Sequence, residues 1–211
     1  MNRLGIFGGT FDPIHNGHIK ALITFIEAFD LDKTMVIPTA IPPHKYYSGD
    51  TDEVTRLEMT SLAVEGIERA VVSDFEIKNG GKSYTVETLR HFSKLYPDYT
   101  IFLFTGSDMF LTLQSWHQAE EIMSLAEIAA FSRTGEDYDK LTAQKDFLRM
   151  KYGAVCHILE FEPYCISSTM LRDIIKKGGD ITAYVPKRVK DYIEINNLYK
   201  NNSEKSEEIN G

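Results

Sequence analysis

Cysteine is scarce in this chain: Cys156 and Cys165 are the only two in 211 residues. They form no CxxC unit and no metal-ligand pattern with a nearby histidine. Neither a disulfide framework nor a thiolate metal site is expected, and the usage fits a reducing compartment. Long apolar runs are missing as well. No stretch approaches the roughly 20 continuous apolar residues that a spanning helix needs. The opening MNRLGIFGG runs from one Arg straight into a strand-like segment, which is not the make-up of a secretory leader. A cytoplasmic protein without a membrane partner is the expectation. A basic excess is also lacking. Lys and Arg number 23 against 31 Asp and Glu, for a net charge of −8. That balance argues against a nucleic-acid polymer as partner, because a phosphate backbone asks for a basic stripe. It does not exclude a small anion held by a few convergent cations and helix amino termini.

Two familiar phosphate cradles are absent too. The first glycine turn does not have the G-x-G-x-x-G spacing of dinucleotide folds. GGKSYT (80–85) imitates the end of a Walker loop, but Glu76 stands where that loop has its first glycine. No internal repeat is visible.

What is present is the composition of an ordinary globule, 43% apolar and 26% charged. The length suits one domain over residues 1–200, followed by an acidic tail, 201–211, with nothing to bury and therefore expected to be disordered. Short apolar runs at LGIF (4–7), TMVIP (34–38), AVVS (70–73), TIFLF (100–104), EIAAFS (127–132) and VCHILEF (155–161) read as strands. Their near-continuous apolarity suits strands covered on both faces. Helical patterns lie between them. Residues 17–29 offer Ile19, Leu22, Ile23 and Ile26; residues 53–66 offer Val54, Leu57, Leu62 and Ala63; residues 85–96 offer Val86, Leu89, Phe92 and Leu95, with Pro97 ending the helix. The alternation predicts an α/β fold: a Rossmann-like doubly wound sheet, mostly parallel, with helices on both faces and a C-terminal helical segment. IKNGGKSY (77–84) reads as a turn or loop. The long connection 38–52 follows a strand's carboxyl end, where such sheets bind ligands.

Two stretches carry chemistry. In GIFGGTFDPIHNGH (5–18) a strand runs into Gly8 and Gly9, followed by Thr10, Phe11, Asp12 and Pro13. Paired glycines let backbone approach a ligand closely. A helix starting at His15 or Asn16 then presents free N–H groups at the same spot, with His15 and His18 reaching into it. The plainer alternative is a glycine turn with two surface histidines. HxxH hints at zinc, but no third ligand accompanies it, since Asp12 belongs to the turn, so no metal site is expected here. In ISSTMLRDIIKKG (166–178), Ser167, Ser168 and Thr169 stand at a helix start and Arg172 projects near the same end. A well-capped amphipathic helix burying Met170, Leu171, Ile174 and Ile175 is the plainer reading. Taken together, the two stretches look like halves of a polyphosphate clamp.

GTFDPIHNGH with ISSTMLR resembles the nucleotidyltransferase superfamily that carries T/HxGH and ISSTxxR signatures. PPHK (42–45), SYTVETL (83–89), GSDMF (106–110), Trp116, FSR (131–133) and YVPKRVKDYIEINNLY (184–199) narrow the resemblance to the bacterial nicotinate-nucleotide adenylyltransferases, over residues 3 to 199. That resemblance implies transfer of AMP from ATP to nicotinate mononucleotide, giving deamido-NAD and pyrophosphate. It implies that His15, His18 and Arg172 act on the ATP phosphates, with Gly8, Gly9, Thr10, Phe11, Gly106, Asp108, Ile166, Ser167 and Ser168 binding ATP. Lys45, Thr85, Trp116 and Arg133 would bind the mononucleotide, with Lys45 and Arg133 on phosphate, Thr85 on the carboxylate and Trp116 on the pyridine ring. Mg²⁺ would arrive with ATP, held by phosphates and water. Asp108 could equally be a helix cap. Two features depart from the pattern: His117 and Gln118 follow Trp116 where a further aromatic is common in the family, and the charged segment 134–153 carries no motif. Pantetheine-phosphate adenylyltransferases share both signatures but do not need the SYTxxTL and Trp116 set. A cytidylyltransferase would differ in its base pocket. A non-catalytic nucleotide sensor would be expected to have lost the histidines, Lys45 or Arg172. The oligomeric state, homo-oligomer included, is not legible.

Overall fold

The computed structural model describes residues 2–41, 51–132, 135–162 and 164–200. Lys45, Arg133 and the tail 201–211 lie outside the described residues. Six strands form one sheet: β1 (Asn2–Gly9), β2 (Lys33–Pro38), β3 (Ala70–Val72), β4 (Tyr99–Thr105), β5 (Glu127–Ser132) and β6 (Cys156–Glu160). Their order is β3-β2-β1-β4-β5-β6, and every pair is parallel. The expectation of a mostly parallel sheet thus becomes an entirely parallel one among the described residues. Nine helices accompany it there: α1 (Asn16–Ala28), α2 (Glu53–Val64), α3 (Phe75–Asn79), α4 (Thr85–Leu95), α5 (Ser107–Phe110), α6 (Ala119–Leu125), α7 (Gly135–Tyr152), α8 (Ser168–Lys176) and α9 (Lys187–Ile195). A 3-10 turn covers Leu113–Ser115. None is long and apolar enough to cross a membrane.

The strand centres are apolar because successive side chains there feed two different cores. Leu4 and Ile6 of β1, Ile101 and Leu103 of β4, and Ile128 and Ala130 of β5 pack with Val86, Leu89 and Phe92 of α4 and Ile122 of α6. Phe7, Phe102, Ala129 and Phe131 face the other way, into Leu22 and Phe25 of α1, Leu171 of α8 and Val189 of α9. Gly5 sits between these layers at a point with no spare room. A Cβ there would lie 2.7 Å from Leu31, 2.8 Å from Thr34 Oγ1 and 2.9 Å from Phe25. Gly5→Ala is therefore expected to destabilise the fold by about 1–3 kcal/mol through overpacking. The measurement is a urea titration, with a lowered midpoint at unchanged m value.

Helix faces turn out rotated relative to their apolar pattern. On α2 the buried positions are Arg56, Met59, Thr60, Ala63 and Val64, whereas Val54 is exposed. On α4 Leu95 is exposed and Thr88 is buried, and on α8 Met170 is exposed beside a fully buried Leu171. On α1 Ile23 is exposed, and Ala21 and Phe25 are buried in its stead. On α2 and α4 a polar side chain fits the contour of the sheet while a larger apolar one at the stripe's margin does not; on α1 and α8 the buried face is shifted around the helix axis. The segment 77–84 also needs correction. Its first three residues close the short helix α3, and the turn proper begins at Gly80 and Gly81, both with positive φ.

The chain reverses its winding between β1 and β4, which are neighbours in the sheet. In open parallel sheets ligands bind at the carboxyl ends of the strands beside such a switch point. Gly8 and Gly9 end β1, Gly106 follows β4, and the segments leading to α2 and α8 leave β2 and β6 at the same edge.

Candidate active site

His15 is the N-cap of α1, and Asn16 is the first helical residue. The cap is reciprocal. His18 N–H donates to His15 Nδ1 at 3.3 Å, and His15 N–H donates to His18 Nδ1 at 3.2 Å. The two imidazoles stack with centroids 3.6 Å apart, and the edge of the pair meets Phe11. Because each Nδ1 accepts a backbone N–H, the ring proton of each neutral imidazole belongs on Nε2. Burial lowers the His15 pKa to about 4; burial and then the neighbouring His15 push His18 well below the ordinary value. The ligand-free site therefore offers two neutral Nε2–H donors at neutral pH. Gly17, between them, leaves the stack little room for a side chain. A Cβ at Gly17 would sit 3.0 Å from the Nδ1 and Cε1 of His15.

The shifted histidines make stability depend on pH. Their folded pKa values lie below the unfolded value of 6.5, so the unfolded chain binds more protons as pH falls. Stability is complete above pH 6.5 and is lost progressively as pH drops toward about 4; His15 alone contributes about 3 kcal/mol of that loss. Urea titrations of the ligand-free protein from pH 7 to 4 are expected to show this slope. A His15→Asn, His18→Asn double variant retains a side-chain acceptor for each cap and should flatten it.

Gly8 and Gly9 differ in purpose. A Cβ at Gly9 would lie 2.5 Å from the Phe11 ring, so an internal contact requires that glycine; at Gly8 the nearest atom is 4.0 Å away, which leaves room for a ligand. Phe11 itself has φ 52°, an unusual conformation for an aromatic residue, and its ring is buried. The turn it starts includes a cis Asp12–Pro13 bond.

The two motifs at opposite ends of the sequence are packed directly on each other. Ser168 Oγ donates to the Pro13 carbonyl at 2.9 Å, and Arg172 Nη1 donates to the Asp12 carbonyl at 2.6 Å. Arg172 also donates to Thr169 Oγ1, one turn back on α8. Ser167 is the N-cap of α8 and accepts from the N–H of Met170. Since the Ser168 hydroxyl proton is directed at Pro13, what Ser168 presents to an incoming anion is its backbone N–H. Ile166 packs on the α1-side core just before the cap.

Asp12 ties this junction to two further segments. Its buried carboxylate accepts from Thr51 Oγ1 at 2.6 Å and from Tyr199 Oη at 2.7 Å. Tyr199 follows α9, so the last described residues close onto the first turn. No cluster of three His, Cys, Asp or Glu side chains able to hold a metal occurs among the described residues. With both Asp12 donors in place and each Nδ1 capped, this donor set fits a cation carried by phosphate and water.

The remaining expected residues flank the switch point. Gly106 is the N-cap of α5, and Asp108 in its first turn is exposed, its carboxylate making no hydrogen bond or ion pair among the described residues. Asp108 is thus not the helix cap. Thr85 opens α4, whose N-cap Tyr84 makes no side-chain cap bond. Trp116 is half-buried against the α4–α6 core, and its neighbour His117 packs on Tyr84 with centroids 4.5 Å apart. Gln118 adopts a left-handed conformation and accepts from Arg90, which also pairs with Glu121. The stretch that departs from the family pattern therefore joins Trp116 to the start of α4.

Residues 6–174 match the cytidylyltransferase-like family model. Among relatives, a protein of Clostridium botulinum named "Probable nicotinate-nucleotide adenylyltransferase" is 39% identical over 201 residues, covering 95% of this chain and all of its own. One of the same name from Clostridium tetani is 36% identical over 200 residues, with the same coverage. The chain belongs to the nicotinate-nucleotide adenylyltransferase family. Its fold is also that of the Plasmodium falciparum nicotinic acid mononucleotide adenylyltransferase, solved with NaAD and with APC; the TM-scores are 0.74 and 0.72, at 20% and 21% identity, over 94% of this chain and 98% of that one.

The structure also brings to the first turn residues that the sequence pattern did not single out for a role. Asp12 and Tyr199 are hydrogen-bonded to each other there, and Arg56 donates to the Thr10 carbonyl. Asp12 was visible inside a motif, but only its partners give it a role. Arg56 had no sequence signal, because a charged residue on a helix reads as solvated.

Proposed function

We propose that this adenylyltransferase transfers the adenylyl group of ATP to the phosphate of nicotinate mononucleotide. A phosphate oxygen of the mononucleotide bonds to the α-phosphorus as the bond to the β-phosphate oxygen breaks, releasing pyrophosphate and giving deamido-NAD. The nucleophile is already anionic at neutral pH, so the demand on the protein is placement and charge compensation, with no proton to remove. The observation that carries this reading is the junction of the two motifs: Nε2–H donors of His15 and His18 on one element, and Arg172 with the amino terminus of α8 joined to it through Asp12 and Pro13.

In this reading His18 donates to the α-phosphate and His15 stands beside it. Arg172 and the backbone N–H groups at Ser167 and Ser168 receive the β/γ end. Gly8, Gly9, Thr10 and Phe11 form the wall of the ATP site, with Ile166, Gly106 and Asp108 at its nucleoside side. Lys45 and Arg133 meet the phosphates where the substrates join. Mg²⁺ bound to the triphosphate adds charge neutralisation on the leaving pyrophosphate. Thr85 and the uncapped N–H groups of α4 take the nicotinate carboxylate, and Trp116 takes the ring. The cytoplasm is the compartment we infer, on the free thiols of Cys156 and Cys165.

The test is pyrophosphate release from ATP with each of three acceptors. Nicotinate mononucleotide should be turned over with the highest kcat/KM and nicotinamide mononucleotide more poorly, since the amide has no charge for the α4 terminus. Phosphopantetheine should be inert; preference for it would overturn the acceptor.

A further inference from the structure

Arg56 is the largest fully buried side chain among the described residues, with 0% of its surface exposed. It lies on the inward face of α2 beside Met59 and Thr60, where a Leu or Met would fill the space without desolvating a charge. Its two terminal nitrogens reach separate segments. Nη1 donates to the Thr10 carbonyl at 2.7 Å, and Nη2 donates to the Ala40 carbonyl at 3.0 Å. Thr10 is in the turn that leads into His15 and His18. Ala40 lies just past β2, at the start of the connection that carries Lys45.

Ala40 is held from other sides as well. Its N–H donates to Ser83 Oγ at 3.0 Å, Ser83 N–H donates to the Ile41 carbonyl, and Thr39 N–H donates to the Gly9 carbonyl. Behind Ser83 stands Glu76, which accepts from Thr88 Oγ1 at 2.8 Å. Burial pushes the Glu76 pKa up, while Thr88, Ser83 and the Arg56 charge oppose that shift. Ser83 and Thr88 belong to the SYTVETL stretch, so part of that stretch is occupied in fixing the same corner.

We propose that Arg56 is a positioning residue that sets the spacing between the phosphate turn at Thr10 and the acceptor-side segment at Ala40, so that the two bound substrates meet in line. The proposal rests on the adenylyl-transfer reading above. A planar fork that donates in two directions suits this task, and a single ammonium does not. A misplacement on the order of 1 Å costs an in-line transfer about 10²-fold.

The test uses Arg56→Met and Arg56→Lys in the full chain, with steady-state kinetics in both substrates and calorimetric binding of a non-hydrolysable ATP analogue. The expected result is kcat lowered about 10²-fold in Arg56→Met, a raised KM for nicotinate mononucleotide, and ATP-analogue affinity within about threefold of wild type. Arg56→Lys keeps the charge and most of the volume; it should fold even if the Met variant does not, and still lose at least about tenfold in kcat. A folded Lys variant with wild-type kcat and both KM values overturns the proposal, as does a Met variant that only melts earlier. Wild-type protein that releases no pyrophosphate from ATP with nicotinate mononucleotide would instead sink the functional reading, and this proposal with it.

Discussion

Replacing His18 by Ala is expected to lower kcat by about 10²–10³-fold, the loss typical of one preorganised donor to a developing charge. The structure predicts that this loss is separable from stability. On the proposed mechanism His18 has two distinct jobs: Nδ1 accepts the His15 N–H and closes the cap of α1, whereas Nε2–H is left to donate to phosphate. Loss of the cap alone costs about 1 kcal/mol, which lowers the melting temperature by a few degrees at most. His18→Asn places an amide oxygen near the Nδ1 position and should recover the melting temperature while leaving kcat low. His18→Gln extends a donor toward the Nε2 position and should recover part of kcat. Steady-state kinetics and thermal melts of the three variants check this. Parallel recovery of both properties in either variant would count against the division of labour.

Arg172→Ala should lower kcat/KM by about 10³-fold, with KM for ATP raised as well as kcat lowered, because a guanidinium that compensates transferring phosphate charge is worth at least this much in related chemistry. Arg172 is not a loose surface cation. Its side chain is drawn back along α8 to Thr169 and across to the Asp12 carbonyl, and its nearest approach to the Asp12 carboxylate is 3.9 Å. Removing it takes away a strut between α8 and the first turn and, on the proposed mechanism, a phosphate partner. Arg172→Lys supplies the charge but not two simultaneous directions of donation, so recovery of no more than about tenfold is expected. Kinetics in ATP at saturating mononucleotide checks the split; an Ala variant within tenfold of wild type would remove Arg172 from the phosphate row.

The strands were legible because a parallel strand buried on both faces shows up as a short, nearly unbroken apolar run, and the turns between them carry glycine and proline; β3, whose Val71 is exposed, still reads as an apolar β-branched run. The histidine pair, the helix start beside it and the ISST stretch were legible for a similar reason: each is a local feature whose residues lie within one or two turns. Thr85 and Gly106 rest on the family resemblance, and the structure puts them at the head of α4 and just after β4.

Other features depended on pairs far apart in sequence. Asp12 meets Tyr199 across 187 positions, and Arg172 meets the Asp12 carbonyl across 160. A periodic pattern ranks apolar residues along one helix and is silent about a charge buried to hold two carbonyls, which is why Arg56 was invisible on α2 and Val54 was overvalued. The protonation state of the histidines was equally out of reach, since it depends on which ring nitrogen the backbone occupies and on how much water packing excludes. Ser168 stands at a helix start in the sequence pattern, but that its hydroxyl donates to the Pro13 carbonyl is visible only in the structure.

The sequence by itself thus determined the elements, their order and the donor-rich ends of two helices, because backbone propensity and hydrophobic period act within a few residues. Only the tertiary structure decided which of those donors converge, which are already occupied inside the protein, and which nitrogen of each imidazole carries its proton. Those outcomes are fixed by hydrogen bonds and desolvation between segments that the sheet brings together.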